Sequence, residues 1–228
     1  RLQGDWSSDV CSSDLHGRCL DLPEVLSFDM GGTTAKGALI RGGAAMKVYE
    51  LEVARSHEFK AGSGLPLTTP VIDMIEIGAG GGSIASIDAR GTIAVGPRSA
   101  GADPGPACYG QGGDKPTLTD ANLVLGFLDP DYFLGGDMRL EPGAARRVIE
   151  RDIAEPLGIS LERAARGIHE ILSEDVARAF RIYASERGFD YRTSSMVAFG
   201  GCGPLHALTV ARKLRIPRVV FPMAAGVM

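Results

Sequence analysis

The sequence is short of the features that would place it in several broad functional classes. Its four cysteines, Cys11, Cys19, Cys108 and Cys202, are scattered without paired spacing, which argues against a disulfide framework and a zinc knuckle and leaves reduced thiols as the expectation. No stretch approaches the roughly 20 consecutive apolar residues that a bilayer crossing needs. The start also lacks the basic-then-apolar order of a secretory signal, so a cytoplasmic protein without membrane contact is expected. Positive charge is not in excess: 24 basic against 28 acidic residues give a net charge of -4. Without the basic stripe that neutralises nucleic-acid phosphates, no nucleic-acid partner is expected. Neither a Ser-His-Asp order nor a metal-ligand cluster is visible, so hydrolysis by a triad or by zinc is not supported.

Glycine, by contrast, is abundant. The 31 glycines among 228 residues are about twice the average usage of ~7%, and they gather in a few loops. A hydrophobic fraction of 44% suits one large domain or two small ones with a real core. Residues 1–20 stand apart: the polar, repetitive run from Ser7 to Leu15 has no helical or strand periodicity. It reads as a translated sequencing adapter joined to a genuine reading frame, is expected to be disordered, and gives no reason to take Cys11, His16 and Cys19 as a metal set. Residues 21–228 form the core.

Within that core, Val25 to Phe28 reads as a buried strand, Asp29 to Lys36 as a glycine turn and Gly37 to Arg41 as a returning strand, which together make a β-hairpin. Met46 to Val53 is expected to continue the sheet, and Lys60 to Pro70 to be a loop. Ile72 to Ile77 leads into a second glycine loop, Gly78 to Ser83, followed by a hairpin of Ile84 to Asp88 with Thr92 to Val95. The proline- and glycine-rich stretch 96–116 is long enough to be functional or disordered. A helical segment spans 119–187: Thr119 to Leu128, Pro142 to Ile153, and a long helix from an N-cap at Ser160 to Arg187, ended by Gly188. The last helix carries an apolar stripe through Leu161, Ala164, Ala165, Ile168, Leu172, Val176 and Tyr183. A terminal βαβ unit fills 195–221, with a turn at Gly200 to Gly203 and a helix from Pro204 to Leu214.

The first hairpin has the residue types that a nucleoside triphosphate requires. Gly31 and Gly32 let backbone N–H groups approach phosphate oxygens, Thr33 and Thr34 add hydroxyls, and Lys36 offers a cation. Asp29 at the strand end suits Mg²⁺, which keeps much of its hydration and takes one or two carboxylates. It is not a P-loop: Gly37, not Ser or Thr, follows Lys36, and a strand comes next. Gly200, Gly201 and Gly203 precede a helix N-terminus, where free N–H groups and the helix dipole favour an anion; a close-packed turn is the alternative. Gly80, Gly81, Gly82 and Ser83 are expected to face a ligand, though they could merely bend the sheet. Among the histidines, His57 reads as a surface imidazole, His169 as a packed core residue, and His206 as a residue able to approach a ligand.

Five blocks together resemble the ATP-dependent hydantoinase A/5-oxoprolinase family, which includes the nucleotide-binding subunits of acetone and acetophenone carboxylases. They run from Phe28 to Lys36, Glu76 to Ala85, Val95 to Gly110, Pro116 to Asn122 and Ala198 to Ala207. The resemblance implies an α/β fold of the actin/sugar-kinase/Hsp70-like (ribonuclease H-like) kind, incomplete in this chain, that grips ATP and Mg²⁺. It implies ring opening of a cyclic amide such as hydantoin or 5-oxoproline through phosphorylation of its carbonyl oxygen, with a hydantoinase B-type subunit or domain as partner. On it, Asp29 and Lys36 are catalytic candidates; Asp103 and Asp120 are candidates for substrate or metal contact, with loop and N-cap roles as their alternatives. A carboxylase subunit is the alternative within the fold, and a sugar-kinase or Hsp70-like module or an inactive remnant the alternatives outside it. Members of the family are about three times longer, so the chain alone is expected not to turn over substrate.

Overall fold

In a computed structural model, residues 13, 15–53, 64–223 and 225–226 are described. The strands are β1 (Glu24–Met30), β2 (Ala35–Arg41), β3 (Ala44–Ala45), β4 (Lys47–Val53), β5 (Leu65–Ile72), β6 (Met74–Ile77), β7 (Ser83–Ile87), β8 (Ile93–Ser99), β9 (Ser195–Phe199) and β10 (Arg218–Val220). The principal helices are α1 (Leu118–Val124), α2 (Pro142–Ile149), α3 (Leu161–Glu186) and α4 (Gly203–Leu214).

The main sheet runs β10-β9-β1-β2-β3, with β6 also paired to β2. β2 is antiparallel to β1 and β6, whereas β9 lies parallel to both β1 and β10. This is the mixed α/β, ribonuclease H-like order that the sequence led us to expect. Central β1 is buried on both faces through Val25, Leu26, Phe28 and Met30, as suits a strand covered on both sides. The larger core lies beneath the helices, where Leu26, Phe28, Leu39, Met196 and Ala198 meet the stripe of α3 and the inner face of α4. Phe180 of α3 stands edge-on to Phe28, with ring centroids 5.8 Å apart, directly above Gly37.

Ser160 caps α3 by accepting from Arg163 N–H. At the far end, Arg187 forms an ion pair with buried Asp73, and Tyr183 Oη donates to the Asp73 carbonyl at 2.8 Å. The last turn of α3 is thereby tied to the chain entering β6. A smaller cluster of Leu22, Val25, Ile40, Val197 and Phe199 occupies the other face of the sheet. It is flanked by a helical turn at residues 15–19, whose His16 lies edge-on to Phe199. This turn corrects the expectation of disorder for that part of the start. Buried Ser13 also donates to Ser27 Oγ at 2.8 Å.

Three further expectations are corrected. The Met46 to Val53 run leaves the main sheet after Met46, and β4 pairs with β5 in a separate antiparallel ribbon. β5 occupies most of the presumed Lys60 to Pro70 loop; it is exposed over Leu65 to Pro70, so no alternation marked it, and an edge position tolerates its prolines. His57, with all of residues 54–63, lies outside the described residues. α1 ends at Val124 rather than Leu128, because Gly126 takes a left-handed φ of 76°. No helix among the described residues is long and apolar enough to cross a membrane, and the described cysteines are free.

A β-carbon at Gly37 would overlap the Phe180 ring. Gly37→Ala is therefore expected to lower stability by about 1–3 kcal/mol through overpacking, read as an earlier urea midpoint with unchanged slope.

Candidate functional site

Three glycine segments that are remote in sequence converge at one end of the sheet. In the first, β1 and β2 place Asp29 directly opposite Lys36, so both side chains leave the same face of the hairpin. Gly31 N–H closes the tip onto the Thr34 carbonyl at 3.0 Å. In the second, Gly81 and Gly82 N–H donate to the Gly31 and Gly32 carbonyls at 3.0 and 2.7 Å. The approach is tight: a β-carbon at Gly80 would lie 2.5 Å from Thr33 N, one at Gly81 2.8 Å from Cys202 Sγ, and one at Gly82 2.7 Å from Ser99 Oγ. Ser83 is buried and accepts from Gly80 N–H at 2.9 Å. Close packing of chain on chain thus explains Gly80 through Ser83, and of the four only Gly81 also lines the cavity described below.

The third segment follows β9, whose Phe199 is in register with Asp29. Gly200 has φ 80°, and a β-carbon there would fall on Asp29 Oδ1, so only glycine fits. Cys202 N–H donates to the Met30 carbonyl at 2.8 Å, and Gly203 with Pro204 opens α4. The Cys202 thiol is pushed up to about 11 by burial, so it remains protonated and is no nucleophile.

Other positions are open. A β-carbon at Gly31, Gly32 or Gly201 would meet nothing within 4 Å. The N–H groups of Gly32, Thr33 and Gly201 donate to no acceptor among the described residues. Open donors on two adjoining turns, beside Asp29 and Lys36, form a cradle suited to phosphate oxygens. No group of three or more metal-ligating side chains occurs among the described residues. A hydrated Mg²⁺ held by a single carboxylate and by phosphates needs none.

Adjoining the cradle is a cavity of about 730 Å³, lined by Gly32, Gly81 and Gly201 of the turns, by Thr119 and Asn122 of α1, which form its floor, and by Tyr109, Phe133 and Leu205. Asp120 and Asp103 do not line it. Asp120 is fully buried and its carboxylate accepts from Cys108 N–H (2.8 Å), Ala107 N–H (3.3 Å), Thr117 N–H (2.9 Å) and Thr117 Oγ (2.7 Å). It completes a capping box at the start of α1 and ties the long proline-glycine loop to that helix. This saturation corrects the substrate or metal role expected of Asp120. Asp103 is exposed on the same loop, just past Ala100, which donates to the Gly82 carbonyl at 2.8 Å.

A buried polar network, not anticipated from the sequence, underlies the cavity. His206 and His169 are stacked, with centroids 4.3 Å apart. Ser173 Oγ donates to the His169 carbonyl at 2.8 Å and so accepts from His206 Nδ1 at 3.1 Å. His206 Nε2 then accepts from Asn122 Nδ2 at 3.2 Å, while Asn122 Oδ1 accepts from His169 Nδ1 at 2.9 Å. Each bond fixes the next, and both imidazoles are neutral. Burial, reinforced by His169, pushes His206 down to about 3, and burial lowers His169 as well. His206 therefore faces Asn122 and Ser173, not a ligand.

The sequence model described as Hydantoinase/oxoprolinase matches residues 6–228. The chain belongs to this family. The match begins inside the segment that composition set apart as foreign. Within the hydantoinase/oxoprolinase family, the chain is 40% identical over 224 residues to caprolactamase subunit alpha of Pseudomonas jessenii, covering 96% of this chain and 31% of that one. It is 41% identical over 217 residues to the acetophenone carboxylase gamma subunit of Aromatoleum aromaticum, covering 90% and 27%. A nucleotide-free structure of acetone carboxylase, titled for ATP-dependent acetone carboxylation, superposes with a TM-score of 0.84 at 31% identity, covering 95% and 29%. The chain thus spans less than a third of the length of the relatives it matches.

Two predictions follow from the buried groups. Asp120→Ala would leave four buried donors unmatched and is expected to cost at least about 2 kcal/mol, measurable by urea unfolding. For the His206 imidazole, the unfolded chain takes up a proton near pH 6.5 and the folded chain only near 3. Acidification between those values therefore favours unfolding, by up to about 1.4 kcal/mol per pH unit. Stability measured from pH 7 down to 5 is expected to fall, and His206→Gln to flatten that slope.

Proposed function

We propose that this chain is the phosphate-gripping core of an ATP-dependent enzyme that opens a cyclic amide by phosphorylating its carbonyl oxygen. The observation that carries this reading is the set of N–H donors at Gly32, Thr33 and Gly201, which meet no acceptor among the described residues, on turns that adjoin Asp29 and Lys36 and that also line the cavity. The ATP dependence by which the acetone carboxylase and caprolactamase structures are described supports it.

Bound ATP with Mg²⁺ supplies a transferable phosphoryl group. Once the amide oxygen is phosphorylated, water adds to the carbonyl carbon, the C–N bond breaks with the hydroxyl proton passing to the departing ring nitrogen, and a second water releases phosphate from the acyl phosphate left behind. In this reading the backbone donors of both turns hold the phosphate oxygens in place, so that no reorganisation is needed as charge shifts. Asp29 would hold Mg²⁺, and Lys36, opposite it across the hairpin, would support the negative charge that develops during transfer. Thr33 and Thr34 add hydroxyl donors at the tip.

A ketone-activating carboxylase subunit is the second reading, favoured by 41% identity to the acetophenone carboxylase gamma subunit. Both readings share the same first step, phosphorylation of a carbonyl oxygen. Since the relatives are named as subunits, a partner chain is part of either reading, and a hydantoinase B-type subunit is the one proposed.

Isothermal titration of ATP with Mg²⁺ is expected to show binding to the chain and at least about tenfold weaker binding, more than 1.4 kcal/mol, to the Asp29→Ala, Lys36→Ala double variant. Equal affinity of the two proteins would overturn the assignment of the hairpin.

A further inference from the structure

Asn122 sits at the floor of the cavity with its side chain fully buried. Its carbonyl oxygen accepts from His169, and one amide hydrogen is given to His206. The second amide hydrogen has no acceptor among the described residues. A flipped carboxamide would set its NH2 group against the His169 Nδ1–H donor, so the two neutral rings hold the group in one orientation. A buried, oriented donor without an acceptor is an unmade hydrogen bond that a ligand oxygen can complete.

The remaining lining narrows the choice of ligand. Tyr109, Leu128, Phe133 and Leu205 supply apolar walls, and the charged lining residues are Asp129 and Asp137. Among the described residues no lysine or arginine lines the cavity. Two carboxylates without a counter-cation oppose entry of an anion, whereas a neutral molecule with an apolar body and one acceptor oxygen meets both the walls and the floor.

We propose that Asn122 anchors the carbonyl oxygen of an uncharged cyclic amide or ketone, and that this cavity discriminates against substrates carrying a carboxylate. The proposal rests on the carbonyl-activating reading above and makes its substrate class specific: a plain lactam such as ε-caprolactam is accepted, while 5-oxoproline, a lactam with an ionised carboxylate, is rejected. The anchoring residue is chemically inert; it fixes where the carbonyl oxygen lies relative to the phosphate cradle above.

The test measures binding of ε-caprolactam, 5-oxoproline and inorganic phosphate to the chain by calorimetry, with ATP and Mg²⁺ titrated separately. In Asn122→Asp the carboxylate still accepts from His169, and from His206 once that ring's proton moves to Nε2 and Ser173 Oγ turns from the His169 carbonyl to donate to Nδ1, so one bond is exchanged while the amide donor becomes an acceptor. We expect ε-caprolactam to bind, 5-oxoproline to bind at least about tenfold more weakly, phosphate not to displace the lactam, and Asn122→Asp to weaken the lactam by at least about tenfold with nucleotide binding unchanged. Unaltered lactam binding by Asn122→Asp, equal affinity for the two lactams, displacement by phosphate, or no lactam binding at all would each overturn the proposal. Should Asn122→Asp fail to fold, Leu205→Phe narrows the cavity without touching the network, and undiminished lactam binding there would overturn it equally. Nucleotide binding is read on its own: its absence overturns the hairpin assignment, while the lactam series still decides the role of Asn122.

Discussion

Two hydrogen bonds hold the site end of this molecule together: those from Gly81 and Gly82 N–H to the carbonyls of Gly31 and Gly32. They require two backbones to touch without side chains between them, and this is why Gly80 packs against Gly32 and Thr33 at distances no β-carbon could share. From that contact the connection continues downward. The Gly81 carbonyl accepts from both the N–H and the hydroxyl of Thr119, which fixes the start of α1 beneath the hairpin. One turn of that helix then carries Thr119, Asp120 and Asn122. The position of the cavity floor relative to the phosphate tip is thus set by main-chain bonding, which is stiffer than side-chain packing.

The buried polar groups in this region divide into two kinds. Asp120 is a carboxylate surrounded by donors, and it serves the chain by fastening the proline-glycine loop to α1. The His169, His206, Asn122 and Ser173 set is neutral throughout, and it is saturated at every atom except one amide hydrogen. Neutrality matters beside the proposed phosphate cradle. A protonated imidazole there would attract an anion into the cavity, and an ionised carboxylate would repel the phosphates above. An uncharged floor with one fixed donor does neither.

Much of this architecture was legible in the sequence, because local patterns encode local structure. The strand, glycine turn and returning strand around Asp29, the stripe of α3 with its Ser160 cap, and the terminal βαβ unit each rest on near neighbours in the chain. The β4–β5 ribbon escaped notice because its second strand is exposed and carries Pro66 and Pro70, which read as a loop. Asp120 was legible as an N-cap partner through the Thr117-to-Asp120 spacing, yet its acidic character inside a glycine-rich block drew attention toward chemistry instead. The glycines at 80 and 82 were read as making room for a ligand, when they make room for the hairpin. The Asn122 network could not have been read at all, since residues 122, 169, 173 and 206 meet only once three helices have packed; a histidine on the apolar face of α3 was its one visible trace.

The order of the strands has a bearing on how the molecule is built as it leaves the ribosome. β1 and β2 are adjacent in the chain and can zip up early, so the hairpin tip forms from short-range pairing. The strand that flanks β1 on its other side, β9, is synthesised only after the β4–β5 ribbon and helices α1, α2 and α3, and with it come Gly200, which must slot against the Asp29 carboxylate, and Gly201. A nascent chain therefore carries the hairpin before the turn after β9 exists, and the proposed cradle closes only when that turn docks, so that holding a phosphate would report on the assembly of this whole sheet.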